Sequence, residues 1–133
     1  MRLLLVSVFF WLTVLPATPV VASHTDYLFD PRQFRHHAES GSFEIFWNYG
    51  HPSADVLRAR GYVRAKAQSP DVEVITLELI GMDGAGSPVS HAFGFTMGGK
   101  IFPWESRPFA IRLRLTGQEK SFRLHIWHLE HHH

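Results

Sequence analysis

Cysteine is absent from the 133 residues, which excludes disulfide frameworks, thiolate metal centres, thiol chemistry and lipid attachment through a processed N-terminal cysteine. The domain must therefore be held together by burial alone. An excess of either charge is also missing: 13 Lys and Arg stand against 12 Asp and Glu, for a net charge of +1. Global electrostatics names no partner, and nucleic acid is not expected. No G-x-S-x-G elbow and no H-E-x-x-H helix occurs in the sequence. Glu73 and Glu78, five apart on a strand, face opposite sides and do not suit paired acid–base work. The expectation is a protein that is not an enzyme and needs no cofactor.

Long apolar runs are missing too. The longest follows Arg2, from Leu3 to Leu15, and as a helix it would be about 20 Å long, short of the roughly 30 Å hydrocarbon core. A positive start, a short apolar stretch and a Val20-Val21-Ala22 ending before Ser23 form the layout of a secretory signal peptide. Residues 1–22 are read as that signal, so the chain is expected to be exported, periplasmic or extracellular, with no stable membrane span after cleavage. At the other end, Leu129-Glu130 followed by His131, His132 and His133 reads as an expression-tag remnant. Ser23 to His128 is then one domain with one core.

What the sequence does contain is β pattern. Runs with a period of two lie at Phe43 to Tyr49, Val56 to Ala67, Val72 to Met82, Pro88 to Met97, Phe109 to Thr116 and Phe122 to His128, separated by Gly, Pro and Asp turn signals. Before them, Asp30 as a cap, Pro31 at the first helical position and Gly41 as terminator predict a short helix from Pro31 to about Ser40. The last two runs read as a hairpin, with Phe109, Ile111, Leu113 and Leu115 meeting Phe122, Leu124 and Ile126 in the core. The fold class expected is all-β: an immunoglobulin-like antiparallel β-sandwich of about seven strands with a short N-terminal helix.

Family resemblance supports this reading. Gly61-Tyr62-Val63-Arg64, then VEVITLELIGMDGAG from Val72 to Gly86, then Arg107-Pro108-Phe109 leading into Phe122 to Ile126 resembles bacterial extracytoplasmic FxLYD-type, immunoglobulin-like domains over about Val56 to Trp127. The Phe-x-Leu-Tyr-Asp segment itself is absent. Ile101-Phe102-Pro103-Trp104 stands where such domains often have a Pro-Gly turn. The resemblance implies a sandwich with an adhesive or structural role, and carries no catalytic residue onto this chain.

Two surfaces are candidates for binding. In the strand from Val56, Arg58, Arg60, Tyr62, Arg64 and Lys66 alternate with the core residues and share one face. Arg112 and Arg114, together with Arg123, His125 and Trp127, would extend that face if the strands share a sheet. The partner suited to it is an envelope protein or anionic envelope component; a solvated face offset by Glu73, Glu78 and Asp55 is the plainer reading. The second candidate is the connection from Gly98 to Pro108, where Phe102 and Trp104 either make contacts or fold back over the end of the sandwich. Phe46, out of phase with Phe43, Ile45 and Trp47, is also free to face a ligand.

Metal binding has little support: His24, His36, His37, His51, His91, His125 and His128 show no ligand spacing with carboxylates, and His125 and His128 should lie on opposite strand faces. The alternative function is a periplasmic copper carrier in which His24 becomes the mature N-terminus and chelates through its amine and imidazole. The leading expectation is a non-catalytic binding or structural module of the cell envelope acting through protein–protein contact.

Overall fold

A computed structural model describes residues 29–131, and these form an all-β domain. Its strands are β1 (His36–Ser40), β2 (Phe43–Ser53), β3 (Val56–Ala65), β4 (Val72–Met82), β5 (Pro88–Phe95), β6 (Ser106–Arg114) and β7 (Ser121–His131). They build two antiparallel sheets, ordered β1-β2-β3-β6 and β5-β4-β7. The signal segment and His24 lie outside the described residues.

Alternation decides which side chains enter the space between the sheets. Ile45 on β2, Leu57, Ala59 and Val63 on β3, and Ile111 and Leu113 on β6 are fully buried against Ile75, Leu77 and Leu79 of β4. On β3 and β6 the intervening positions, among them Arg58, Arg60, Tyr62, Arg64, Arg112 and Arg114, reach solvent, so the two-residue period of the sequence is the period of burial. Each such buried aliphatic side chain contributes roughly 1.5–3 kcal/mol.

The sandwich is pinched shut on one side. Gly94 of β5 lies so close to β6 that a Cβ there would meet Ile111 Cγ1 at 2.3 Å and the Ala110 carbonyl oxygen at 2.8 Å. Just beyond, the Met97 N–H donates to the Pro108 carbonyl at 2.9 Å, linking one sheet to the other. At the opposite side β1 and β7 are the outer strands of their sheets, and Phe122, Ile126 and Leu129 of β7 are only partly buried there. The chain passes from β6 to β7 through a loop organised by Glu119. Its carboxylate accepts from the Thr116 and Gly117 N–H groups and, at 2.6 Å, from the Ser90 hydroxyl. Burial pushes this carboxyl up, but those hydrogen bonds outweigh it and hold the pKa at about 2.

The structure corrects three local expectations. The predicted helix from Pro31 to Ser40 is a single 3-10 turn, Pro31–Gln33, capped by Asp30, whose carboxylate accepts from the Arg32 N–H at 3.0 Å. The same Asp-Pro start serves either helix type. Phe34 then turns extended, and His36–Ser40 pairs with β2 around Gly41, at φ 60°. Second, β6 and β7 are not a hairpin. They lie in different sheets and at opposite sides of the sandwich, β6 against β5 and β7 beside β1. Third, β7 does not alternate throughout. Ile126 pairs with Leu77 and His128 with Thr76, so Trp127 is an extra residue in a bulge, and Trp127 and His128 are both exposed. Leu129, Glu130 and His131, read from sequence as a tag remnant, continue β7 opposite Ile75, Val74 and Val72.

Gly61 is the tightest point of the β2–β3 pair. It sits opposite Trp47, and a Cβ would fall 1.8 Å from the Phe46 carbonyl oxygen, a backbone atom that cannot yield without breaking the ladder. Gly61→Ala is expected to lower unfolding free energy by about 3 kcal/mol or more, measured by urea denaturation. A change within about 0.5 kcal/mol, the range of ordinary surface substitutions, would refute this reading of the contact.

Candidate functional site

The outer face of the four-stranded sheet carries five of the six arginines named from the sequence, but in two different roles. Arg64 donates twice to Glu44 Oε2, from Nε at 3.0 Å and from a terminal nitrogen at 2.7 Å. Its guanidinium also lies over the rings of Phe46, at 5.2 Å, and Phe29, at 5.7 Å. Phe29 in turn contacts Phe46, Tyr62 and Phe34 at centroid distances of 5.2, 4.8 and 5.9 Å. The N-terminal segment thus covers this end of the sheet, and Phe46, expected to be free for a ligand, is buried beneath it. Arg64 is a structural residue. Lys66 is paired with Glu39 at 3.2 Å.

Arg58, Arg60, Arg112 and Arg114 make no hydrogen bond or ion pair among the described residues. Register brings Arg58 directly opposite Arg112, Arg114 opposite Val56, and Ala110 opposite Arg60. Two like charges face each other across the ladder without a carboxylate between them, an arrangement that lowers stability. Asp55 is the nearest compensation: its carboxyl is held below the usual range by the Ser53 hydroxyl, 2.8 Å away, and further by the Arg114 charge.

Beside these arginines the sheet surface sinks into an open groove of about 800 Å³. Arg58, Arg60 and Tyr62 line it from β3, Pro108 and Ala110 from β6, and Phe34 forms a wall. Asn48, in the groove lining, fixes that wall: its side chain accepts from the Arg35 N–H at 2.8 Å and donates to the Gln33 carbonyl at 3.0 Å. The groove therefore offers an apolar floor with two guanidinium groups on one flank.

Arg123, His125 and Trp127 do not join this face, because β7 belongs to the other sheet. Glu78 is also there and offsets none of the arginines. Instead it is the centre of a cluster that sequence spacing does not reveal. His91 on β5 meets Glu78 Oε2 through Nδ1 at 2.9 Å, and His125 on β7 meets Oε1 through Nε2 at 2.8 Å. Phe93 packs on His91 and on Trp127 at centroid distances of 5.4 and 5.1 Å. The hydrogen bond from His91 is the main reason the Glu78 carboxyl lies below its ordinary value, with His125 adding to it against a smaller effect of burial. Register alone makes this cluster: Glu78 is opposite His125 on one side and Phe93 on the other.

Among the described residues, three ligand atoms come within 4.8 Å of one another only at His37, Glu39 and Glu44. Both carboxylates are already engaged, Glu44 by Arg64 and Glu39 by Lys66. That group is accounted for by its own cations.

The connection between β5 and β6 projects its aromatics outward instead of folding them back. Phe102 is 44% exposed and Trp104 65%. The Glu105 N–H donates to the Phe102 carbonyl at 2.9 Å, closing a four-residue turn in which Trp104 takes φ 70°. Trp104 is the one described non-glycine residue with positive φ, in the third turn position where a type II turn calls for glycine. Arg107 anchors the base of the loop, donating to the Lys100 carbonyl at 2.6 Å and to Glu105 at 3.0 Å.

The chain matches no family model, and no curated protein or solved structure matches it. The geometry of these surfaces must be read on its own terms.

The Glu78 cluster gives a signed pH dependence. A carboxyl whose folded pKa is depressed contributes stability above its ordinary value of 4.5 and loses it as pH falls through the folded value. Glu78→Gln should flatten the fall of Tm below about pH 4.5, as followed by calorimetry. Parallel curves for the two proteins would show that the cluster contributes nothing to folding.

Proposed function

We propose that the protein is an exported, non-catalytic binding module of the cell envelope that holds an acidic partner protein on the outer face of its four-stranded sheet. The observation that carries this is the set Arg58, Arg60, Arg112 and Arg114, free of ion pairs among the described residues, of which Arg58 and Arg60 line the 800 Å³ groove and Arg112 stands opposite Arg58. Unopposed charges of one sign are worth little to the fold and much to the encounter rate and selectivity of a complementary partner. The groove adds apolar surface and the Tyr62 and Asn48 side chains, so a docked segment could bury aliphatic groups between charge contacts.

Kinship with immunoglobulin-like, FxLYD-type domains is part of the same proposal. Its support is the pairing of β3 with β6 and of β4 with both β5 and β7, which corresponds to the B–E, C–C′ and C–F pairs of such sandwiches. A module of this kind works by presenting a rigid sheet surface, and the arginines sit on its most regular strands.

The test uses poly-L-glutamate as an acidic probe at low salt. Arg58→Glu combined with Arg112→Glu keeps a like-charged pair across the ladder, so stability should hold while affinity falls by roughly tenfold or more. Equal binding by both proteins would return this face to an ordinary solvated surface.

A further inference from the structure

The Phe102–Glu105 turn presents its tryptophan at a price in backbone strain, and no contact within the described residues explains why. Left-handed backbone brings Cβ against the carbonyl oxygen and is rare for bulky residues. Glycine at this position would relieve it. The indole recovers little by burial, being 65% exposed. The backbone is nonetheless fixed in place, since the Trp104 N–H donates to the Ala65 carbonyl at 2.9 Å and Arg107 holds the loop base. An exposed aromatic held rigidly in a disfavoured conformation is a feature of recognition surfaces.

The chemistry around it selects the ligand. Lys100 lies with its ammonium 5.3 Å from the Phe102 ring centroid, so the loop ends in two aromatic rings and a cation. Its one carboxylate, Glu105, is turned inward: Oε1 accepts from Arg107 and, at 3.1 Å, from the Phe102 N–H. The charge the loop shows to its surroundings is therefore positive. Phe95 and Met97, both more than half exposed, lie at the same end of the sandwich, where Thr96 bonds to Ile75 and Ile101 bridges to Val72. Tryptophan and lysine at a rigid tip are the side chains that settle at the headgroup level of a bilayer, the ring among the acyl boundary and the ammonium among the phosphates.

We propose that the Phe102-Pro103-Trp104 turn is a membrane-interface anchor, inserting the Trp104 and Phe102 rings into a lipid surface while Lys100 contacts an anionic headgroup. Lys100, Phe102 and Trp104 are not among the residues that line the arginine groove, although Met97 is, and the two readings stand or fall independently. Lys100 contributes about fivefold to partition onto anionic over zwitterionic lipid. With Asp71 exposed on the adjoining connection, the rings carry most of the affinity.

The experiment takes the full chain, its Trp104→Gly variant and the Arg58→Glu/Arg112→Glu double variant. Each is mixed with vesicles of phosphatidylcholine, alone or with an equal share of phosphatidylglycerol. Subtracting the Trp104→Gly emission from that of the parent isolates the Trp104 indole from the other tryptophans and from any binding by the N-terminal apolar segment. The expected result is a blue shift of that difference emission and its quenching by brominated acyl chains, both kept in the arginine variant. In free solution Trp104→Gly should melt at the same temperature as the parent or a few degrees higher. An indole that stays solvent-like and unquenched on both vesicles overturns the proposal, as does a clear drop in Tm for the glycine variant. Retained insertion with lost poly-glutamate binding would separate this anchor from the arginine face.

Discussion

With no disulfide available, the dry seam between the two sheets holds the domain together, and the phase of each strand across that seam decides what faces solvent. Leu57, Ala59, Val63 and Ala65 must point inward, so Arg58, Arg60, Tyr62 and Arg64 have no choice but to point outward. A one-residue slip would bury four arginine and tyrosine side chains and expose the core. The same constraint on β4 buries Ile75, Leu77 and Leu79 and turns Glu78 to the other outer face. Both surfaces with chemical character are thus consequences of core packing, each on the outside of its own sheet.

The two sides of the sandwich are built differently. Gly94 lets β5 and β6 approach until backbone touches side chain, sealing that side without a strand between them. The other side ends in unpaired strands, and open edges invite further pairing. The devices that limit this are visible: β1 is only five residues long, and β7 is kinked by the Trp127 bulge. That bulge has a second effect. It places Trp127 beside Phe93, closing the aromatic row next to the Glu78 cluster, so an edge-limiting irregularity also shapes the surface of the three-stranded sheet.

Features set by local periodicity were legible in the sequence. The limits of β4 agree with its apolar run, and the outward arginines of β3 follow from alternation alone. Whatever depended on pairing between distant segments was not. β1 has a sequence, His-His-Ala-Glu-Ser, with little strand preference. It is a strand because β2 pairs with it and because His36 lies 5.5 Å from the Trp47 ring, nearly parallel to it. β6 and β7 look like a hairpin because two amphipathic runs flank a short turn, yet the same apolar faces fit equally well from opposite sheets. The meeting of His91 and His125 on Glu78 needs the register of three strands, which no spacing along the chain encodes. Trp104 in left-handed backbone runs against local preference outright, so sequence reasoning could single out its exposure but not its conformation.

Two features of this domain lower its stability with no side-chain hydrogen bond or ion pair to offset them among the described residues. Arg58 faces Arg112 across a ladder, and Trp104 holds a positive φ. Each costs on the order of 1 kcal/mol, against a total that for domains of this kind is about 5–15 kcal/mol. Either could be removed by a single substitution, glycine at 104 or a carboxylate at 58 or 112, that leaves the core untouched. Local choices that conflict with an otherwise consistent fold are expected where a surface serves something besides folding. Here both conflicts lie on parts of the surface that are open to a partner: the flank of a groove and the tip of a rigid loop.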